Sequence, residues 1–238
     1  MEGKTHSPMK IFSDGANLDD MRAAYSSRSV DGFTTNPTLM RKAGVSNYEE
    51  FAREVLRHIT DMSISFEVFS DDFVEMERQA RKIASWAKNV HVKIPVTNTG
   101  GIFAGPLIAK LASDGIPLNV TAILTLDQVE RVVKVLQPSV SSIVSVFAGR
   151  IADTGVDPIP LMKAAARIVS PLPACELLWA SSREALNIVQ AEECGCRIIT
   201  VPPEILKKRS MFGKDLADLS LDTVKTFYED GAQAGYSL

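Results

Sequence analysis

Val90-His91-Val92-Lys93-Ile94-Pro95-Val96 is the stretch on which the reading of this chain turns. Side chains along a β-strand point alternately to its two faces. Val90, Val92, Ile94 and Val96 therefore share one face, and His91 and Lys93 share the other. The apolar face needs a cover of helices. The other face carries an imidazole and an amine into whatever space lies behind the strand, and the flanking sequence decides what that space is.

Working outward, short apolar runs alternate with longer amphipathic stretches eight times. Met9–Ser13 reads as a first strand, followed by a helix near Leu18–Tyr25. Gly32–Asn36 is a second strand and Asn47–Ile59 a helix, with Phe51, Val55, Leu56 and Ile59 at helical spacing. Ser63–Phe69 is strand three, and Asp71–Ala87 a helix opened by an aspartate pair fit to cap it. Val90–Val96 is strand four, with a helix near Gly105–Ser113. Leu118–Ile123 is strand five; Thr125–Leu136 is its helix, with Thr125 as N-cap and Gln128 three residues on. Ser142–Phe147 and Ile159–Val169, then Cys175–Ala180 and Ser182–Glu193, form the sixth and seventh pairs. Arg197–Val201 is strand eight, followed by a short helix at Glu204–Lys208 and a last one near Leu221–Ala232.

Strands alternating with helices of this length imply βαβ units and a parallel sheet. Eight units in 238 residues, with no linker or shift of composition, predict a single (β/α)8 TIM barrel domain over residues 1–238 with an extra C-terminal helix. The rival, a doubly wound sheet, lacks its usual glycine-rich phosphate fingerprint after the first strand.

In a closed barrel the space behind strand four is the barrel interior. Strand three sets Ile64, Phe66 and Val68 against Ser65 and Glu67; strand five sets Leu118, Val120 and Ala122 against Asn119 and Thr121. Three adjacent strands thus aim a carboxylate, an amine, an amide and a hydroxyl into one place. A structural barrel interior is filled by branched apolar side chains, and barrel enzymes keep their chemistry at the C-terminal mouth. A Glu67–Lys93 ion pair that only holds the core is the bland alternative.

An amine in dry, apolar surroundings is favoured in its neutral form, which attacks ketone carbonyls. The iminium so formed is an electron sink for cleaving a neighbouring carbon–carbon bond. Such a reaction needs proton carriers, for which Glu67 and Asp14, closing the first strand, are candidates. The lysine itself supplies the sink, so no metal or organic cofactor is expected.

Five segments then carry a resemblance. Gly32-Phe33-Thr34-Thr35-Asn36-Pro37-Thr38-Leu39 resembles the strand-two signature of the transaldolase family, and Val92-Lys93-Ile94-Pro95 resembles the segment bearing that family's Schiff-base lysine. Asn119-Val120-Thr121, Ser145-Val146-Phe147-Ala148-Gly149-Arg150 and Ala180-Ser181-Ser182-Arg183 are similar to the next three blocks, in family order. The short length resembles the subfamily that also contains fructose-6-phosphate aldolase. The resemblance implies a Schiff base on Lys93, proton transfer by Asp14, and a water held by Glu67 and Thr121. It implies that Asn36, Asn119 and Ser145 bind the dihydroxyacetone part, and that Arg150, Ser181 and Arg183 bind the sugar phosphate. Glu67 and Phe147 match the transaldolase pattern, where aldolase-type members carry Gln and Tyr; this implies transfer of dihydroxyacetone to an aldose phosphate in the pentose phosphate pathway. Release of free dihydroxyacetone is the alternative, and a silent sugar-phosphate-binding barrel a third. Val146 and Ala148 depart from the usual residues of the strand-six block, and Trp179 is large enough to narrow an acceptor site.

Arg150 follows a glycine beyond strand six and Arg183 opens helix seven in this reading, so two guanidinium forks could meet one phosphate. With 26 basic and 29 acidic residues and a net charge of −3, there is no electrostatic case for nucleic acid or an anionic membrane as partner. The three cysteines, Cys175, Cys194 and Cys196, and the polar Met1–Pro8 stretch point to a cytoplasmic, reducing setting. Cys194-Gly195-Cys196 lacks a second Cys/His pair for a metal, and His6, His58 and His91 have no ligand spacing. The segment Leu219–Leu238 places Leu221, Val224, Phe227 and Tyr228 on one helical side. In the resembling subfamily this helix packs on a neighbour in a ring, which implies a homo-oligomer, commonly a decamer of two pentamers.

Overall fold

A computed structural model describes residues 8–237. His6, most of the N-terminal stretch read above and the last residue of the C-terminal segment lie outside the described residues. The strands are β1 (Lys10–Asp14), β2 (Gly32–Thr34), β3 (Ser63–Glu67), β4 (Val90–Pro95), β5 (Leu118–Ile123), β6 (Ser142–Val146), β7 (Cys175–Trp179) and β8 (Ile198–Val201). Each pairs in parallel with the next, and β8 returns to β1, so the sheet closes into an eight-stranded barrel. Between them run α1 (Leu18–Ser26), α2 (Pro37–Lys42), α3 (Tyr48–His58), α4 (Phe73–Ala84), α5 (Gly105–Ser113) and α6 (Leu126–Val133). They are followed by α7 (Ala148–Asp153), α8 (Ile159–Val169), α9 (Leu186–Glu193) and α10 (Pro203–Leu206).

Helix starts follow their capping residues. Asp72 accepts from the Glu75 amide at the start of α4, and Thr125 and Gln128 form a reciprocal capping box on α6. Asp71, the other member of the aspartate pair, instead binds the amide and hydroxyl of Thr99.

Strand alternation sorts the side chains into two populations. Phe33, Ile64, Phe66, Val92, Ile94, Val120, Val144, Leu177, Trp179 and Ile199 belong to the large core between strands and helices. Phe12, Ile143, Leu178, Ala180 and Ile198 form a separate small cluster inside the barrel, with Phe147 against it. Gly32 shows why that plug forms on one side: a β-carbon there would lie 2.6 Å from the Phe12 ring. The opposite side of the interior, along β3 to β5, is polar.

Three local departures from the sequence reading have physical causes. Strand two ends at Thr34 and not at Asn36, because Asn36 is the N-cap of an unanticipated helix, α2. Its side-chain oxygen accepts from the Leu39 amide at 2.9 Å, and Pro37 takes the first helical position, where no amide hydrogen is needed. Helix α7 directly after β6 was also unanticipated, and Arg150 stands within it. The seventh-pair helix begins at Leu186 rather than Ser182; Asn187 accepts from the Arg183 and Glu184 amides, and Ser182 donates to the Thr200 carbonyl. Arg183 therefore lies in the turn before that helix.

The chain divides into two compact units, the barrel up to Leu206 and a second unit from Lys207. The second contains a 3₁₀ turn (Lys207–Met211) and the extra C-terminal helix, α11 (Leu216–Gln233). Asp215 caps α11 by accepting from the Ala217 and Asp218 amides. Among its described residues none is buried, and Leu221, Val224, Phe227 and Tyr228 are all exposed. No helix among the described residues is long and apolar enough to cross a membrane.

Candidate active site

The register of the sheet brings the polar positions of β3, β4 and β5 side by side. Glu67 pairs with Lys93, Lys93 with Asn119, and Pro95 with Thr121. Lys93 is buried, its side chain 7% exposed. Its Nζ donates to the Thr35 carbonyl at 2.9 Å and stands 3.1 Å from Glu67 Oε2. The Glu67 backbone is in turn clamped by Tyr48, whose hydroxyl accepts from the Glu67 amide and donates to its carbonyl, both at 2.8 Å.

Asn119 is oriented by two neighbours. Ser145 donates to its Oδ1 at 2.7 Å, and its Nδ2 donates to Ser65 Oγ at 3.0 Å. This chain of contacts runs unbroken from β3 to β6. The Thr121 hydroxyl is buried and has no hydrogen-bond partner among the described residues. Such a group costs about 1–3 kcal/mol unless a ligand group meets it, so its place is consistent with contact to a reacting molecule. Ala122, next to it, has φ +61° where the β5–β6 register shifts. Backbone strain of this kind concentrates at functional sites.

Asp14 closes β1 and accepts from Thr34 Oγ1 at 2.7 Å. Burial raises its pKa; the charge of Lys93 and the Thr34 hydrogen bond act against that rise, while Glu67 and Glu204 add to it. The net effect is a carboxyl that holds its proton more readily than an exposed aspartate does. His91, two residues before Lys93 on the same face, sits between Ser63 and Ser141, with 2.9 Å contacts from both ring nitrogens. Desolvation, followed by the charge of Lys10, pushes its pKa down to about 4. It is a neutral interior histidine.

The predicted phosphate-binding residues gather around α7. The Arg150 guanidinium lies 5.1 Å from the centre of the Phe147 ring. Arg183 is held by Asp153, through Nε to Oδ1 at 2.9 Å and Nη2 to Oδ2 at 2.5 Å. The hydrogen bond from Arg183 keeps the Asp153 carboxyl below its ordinary range, and the charge of Arg150 acts in the same direction. Ser181 has φ +62°, and its carbonyl is pressed onto Gly149. Trp179 is buried in the core between strands and helices and faces away from the interior.

Residues 11–237 match the family described as Transaldolase/Fructose-6-phosphate aldolase. The chain belongs to that family. It is 33% identical over 231 residues to a probable transaldolase of Thermoanaerobacter sp. (strain X514), covering 97% of this chain and 100% of the relative. A probable transaldolase of Streptococcus equi subsp. zooepidemicus (strain MGCS10565) is 35% identical over 225 residues, covering 94% and 98%. The crystal structure of KGPDC from Streptococcus mutans superposes with a TM-score of 0.57 at 10% identity, covering 84% of this chain and 91% of that one. That last likeness concerns the barrel fold alone.

Of the residues singled out in the sequence, the structure sets Lys93 beside Glu67 and Asn119 beside Ser145, with Asp14 feeling the charges of Lys93 and Glu67. Asn36 stands at the same end of the barrel, with its oxygen engaged as a cap and its amide nitrogen left for other contacts. Thr34, Thr200 and Asp153 were missed. Thr34 and Thr200 were legible as interior positions by alternation with Gly32 and Ile198, whereas Asp153 gave no signal without the helix that carries it.

Proposed function

We propose that this protein is a transaldolase that moves a dihydroxyacetone unit from a ketose phosphate, sedoheptulose 7-phosphate or fructose 6-phosphate, to an aldose phosphate. Glyceraldehyde 3-phosphate and erythrose 4-phosphate are the acceptors, and the step belongs to the pentose phosphate pathway. The observation that carries this reading is the buried Lys93 amine, 3.1 Å from the Glu67 carboxylate on the polar side of a closed barrel. Family membership supports it.

Lys93 attacks the ketose carbonyl and water leaves as the iminium forms, with Glu67 and Thr121 moving the protons of that exchange. Asn119, Ser145 and Asn36 hold the dihydroxyacetone hydroxyls. Asp14 takes the proton of the hydroxyl on the far side of the breaking bond. The bond electrons pass into the iminium, an aldose departs, and an enamine stays on Lys93. The enamine carbon then attacks the acceptor aldehyde, Asp14 returns its proton, and water releases the new ketose and the free amine. Arg150, Ser181 and Arg183 bind the phosphate.

Transfer is favoured over release because Phe147 offers no hydroxyl to protonate the enamine. A lyase releasing dihydroxyacetone, like a fructose-6-phosphate aldolase, is the second reading within the family. We place the protein in the cytoplasm as a homo-oligomer, with the exposed apolar side of α11 as its interface.

Borohydride reduction with fructose 6-phosphate is expected to trap an adduct on Lys93. No adduct with any ketose phosphate would overturn the Schiff-base reading. Rapid release of dihydroxyacetone from fructose 6-phosphate without erythrose 4-phosphate would overturn the preference for transfer.

A further inference from the structure

Asp14 is flanked by β2 and β8, the two strands paired with β1. Thr34 comes from one and Thr200 from the other, and both are buried. Thr34 Oγ1 donates to Asp14 Oδ1 at 2.7 Å and is also in hydrogen-bond contact with Thr200 Oγ1. A threonine hydroxyl has a single hydrogen and two acceptor lone pairs. With Asp14 ionised, the Thr34 hydrogen is committed to the carboxylate, so Thr200 must be the donor in the second contact. The chain has one polarity, from β8 through β2 to β1.

We propose that Thr200 is a positioning residue: by donating to Thr34 it commits the Thr34 hydrogen to Asp14 Oδ1 and leaves Oδ2 for the substrate hydroxyl. Oδ2 makes no hydrogen bond among the described residues. Without Thr200 the Thr34 hydroxyl is free to rotate towards backbone carbonyls, and the ionised carboxylate loses a fixed donor. Ser182 Oγ donates to the Thr200 carbonyl at 2.7 Å, which fixes the end of the chain to the turn after β7. The inference rests on the reading of Asp14 as proton carrier given above. The charged groups facing Asp14 are Lys93 from β4, Glu67 from β3 and Glu204 from α10, and all are kept in the variants below.

A donor to a carboxylate stabilises its charged form, so weakening that donor raises the pH at which the base becomes available. The test is the pH profile of kcat/KM for ketose phosphate cleavage in Thr200→Val, Thr200→Ala and Thr200→Ser. Val and Ala are expected to move the acidic limb upward by about 0.5–1 pH unit, roughly half of the ~1–2 units that a whole hydrogen bond to a charged group represents, since Thr34 still reaches Asp14. Ser, which keeps the hydroxyl, leaves it in place, and Thr34→Val moves it at least as far as Thr200→Val. Folded Val or Ala variants with the wild-type limb would overturn the proposal, as would a Ser variant shifted as far as Val. Asp14→Asn separates the two levels of the argument. If it retains wild-type activity, the proton-carrier reading falls and takes this proposal with it; if it is inactive while the Thr200 variants are unshifted, this proposal alone falls.

Discussion

Gly149→Ala puts the packing of α7 on the end of β7 to a direct test. A β-carbon at Gly149 would lie 1.6 Å from the Ser181 carbonyl oxygen and 2.7 Å from its carbon. Ordinary contact begins near 3.4 Å, so the two backbones must part by about 1.8 Å. Neither side yields cheaply. Gly149 is in a helix whose amide donates to the Ala180 carbonyl, and Ser181 already has a left-handed backbone. Overpacking a well-filled site costs about 1–3 kcal/mol, and backbone against backbone belongs at the upper end. For a chain of this size that lowers Tm by roughly 6–12 °C. The same displacement separates Arg150 from Ser181 and Arg183, and a misplacement of about 1 Å can cost 10²-fold in rate. The assay is thermal unfolding together with KM for a phosphorylated and a non-phosphorylated acceptor. Gly231→Ala is the control: nothing lies within 4 Å of its β-carbon, and alanine in a helix interior gains about 0.5–1 kcal/mol. A Gly149→Ala variant with unchanged Tm and KM would refute the packing argument.

The buried amine and its carboxylate are expected to be coupled. Lys93→Met abolishes borohydride trapping and leaves Glu67 without its cation, so Lys93→Met/Glu67→Gln should be the more stable by about 1–2 kcal/mol in urea unfolding. His91 supplies a pH signature. Its folded-state pKa, about 4, is below the ordinary 6.5, so as pH falls through that window the unfolded chain takes up a proton that the folded one refuses. Stability is therefore lost on acidification, by at most about 3 kcal/mol, and His91→Gln should flatten the slope between those two pH values in denaturant titrations. Asp153→Asn releases Arg183 from its carboxylate; KM for phosphorylated substrates is expected to fall severalfold and Tm to stay put, and a rise in KM would show that Asp153 positions Arg183 instead.

The barrel was legible because strand and helix periods alternate so regularly, and because polar residues recur on one face of β3, β4 and β5. Lys93, Glu67 and Asn119 could be placed together from alternation alone, since parallel neighbours bring equal positions into register. The rim was harder to read. Asn36-Pro37 carries a capping signal, but it was outweighed by the apolar run before it. Helix α7 has Phe147 at its N-cap and no side-chain cap, so nothing local marks its start. Ser181 and Ala122 take left-handed backbones without being glycine, a cost that only tertiary packing imposes and that no local pattern records.

The split between the two populations of strand residues has a consequence for how such a protein can change. Along β4, Val92 and Ile94 hold the helices while Lys93, between them, faces the barrel interior. Scaffold and chemistry thus occupy interleaved codons, one position apart yet on opposite sides of the sheet. A library confined to the inward positions of β3 to β6 would rewrite the pocket while leaving the helix-bearing layer intact. Substrate preference in this barrel can therefore drift across generations with little effect on whether the chain folds.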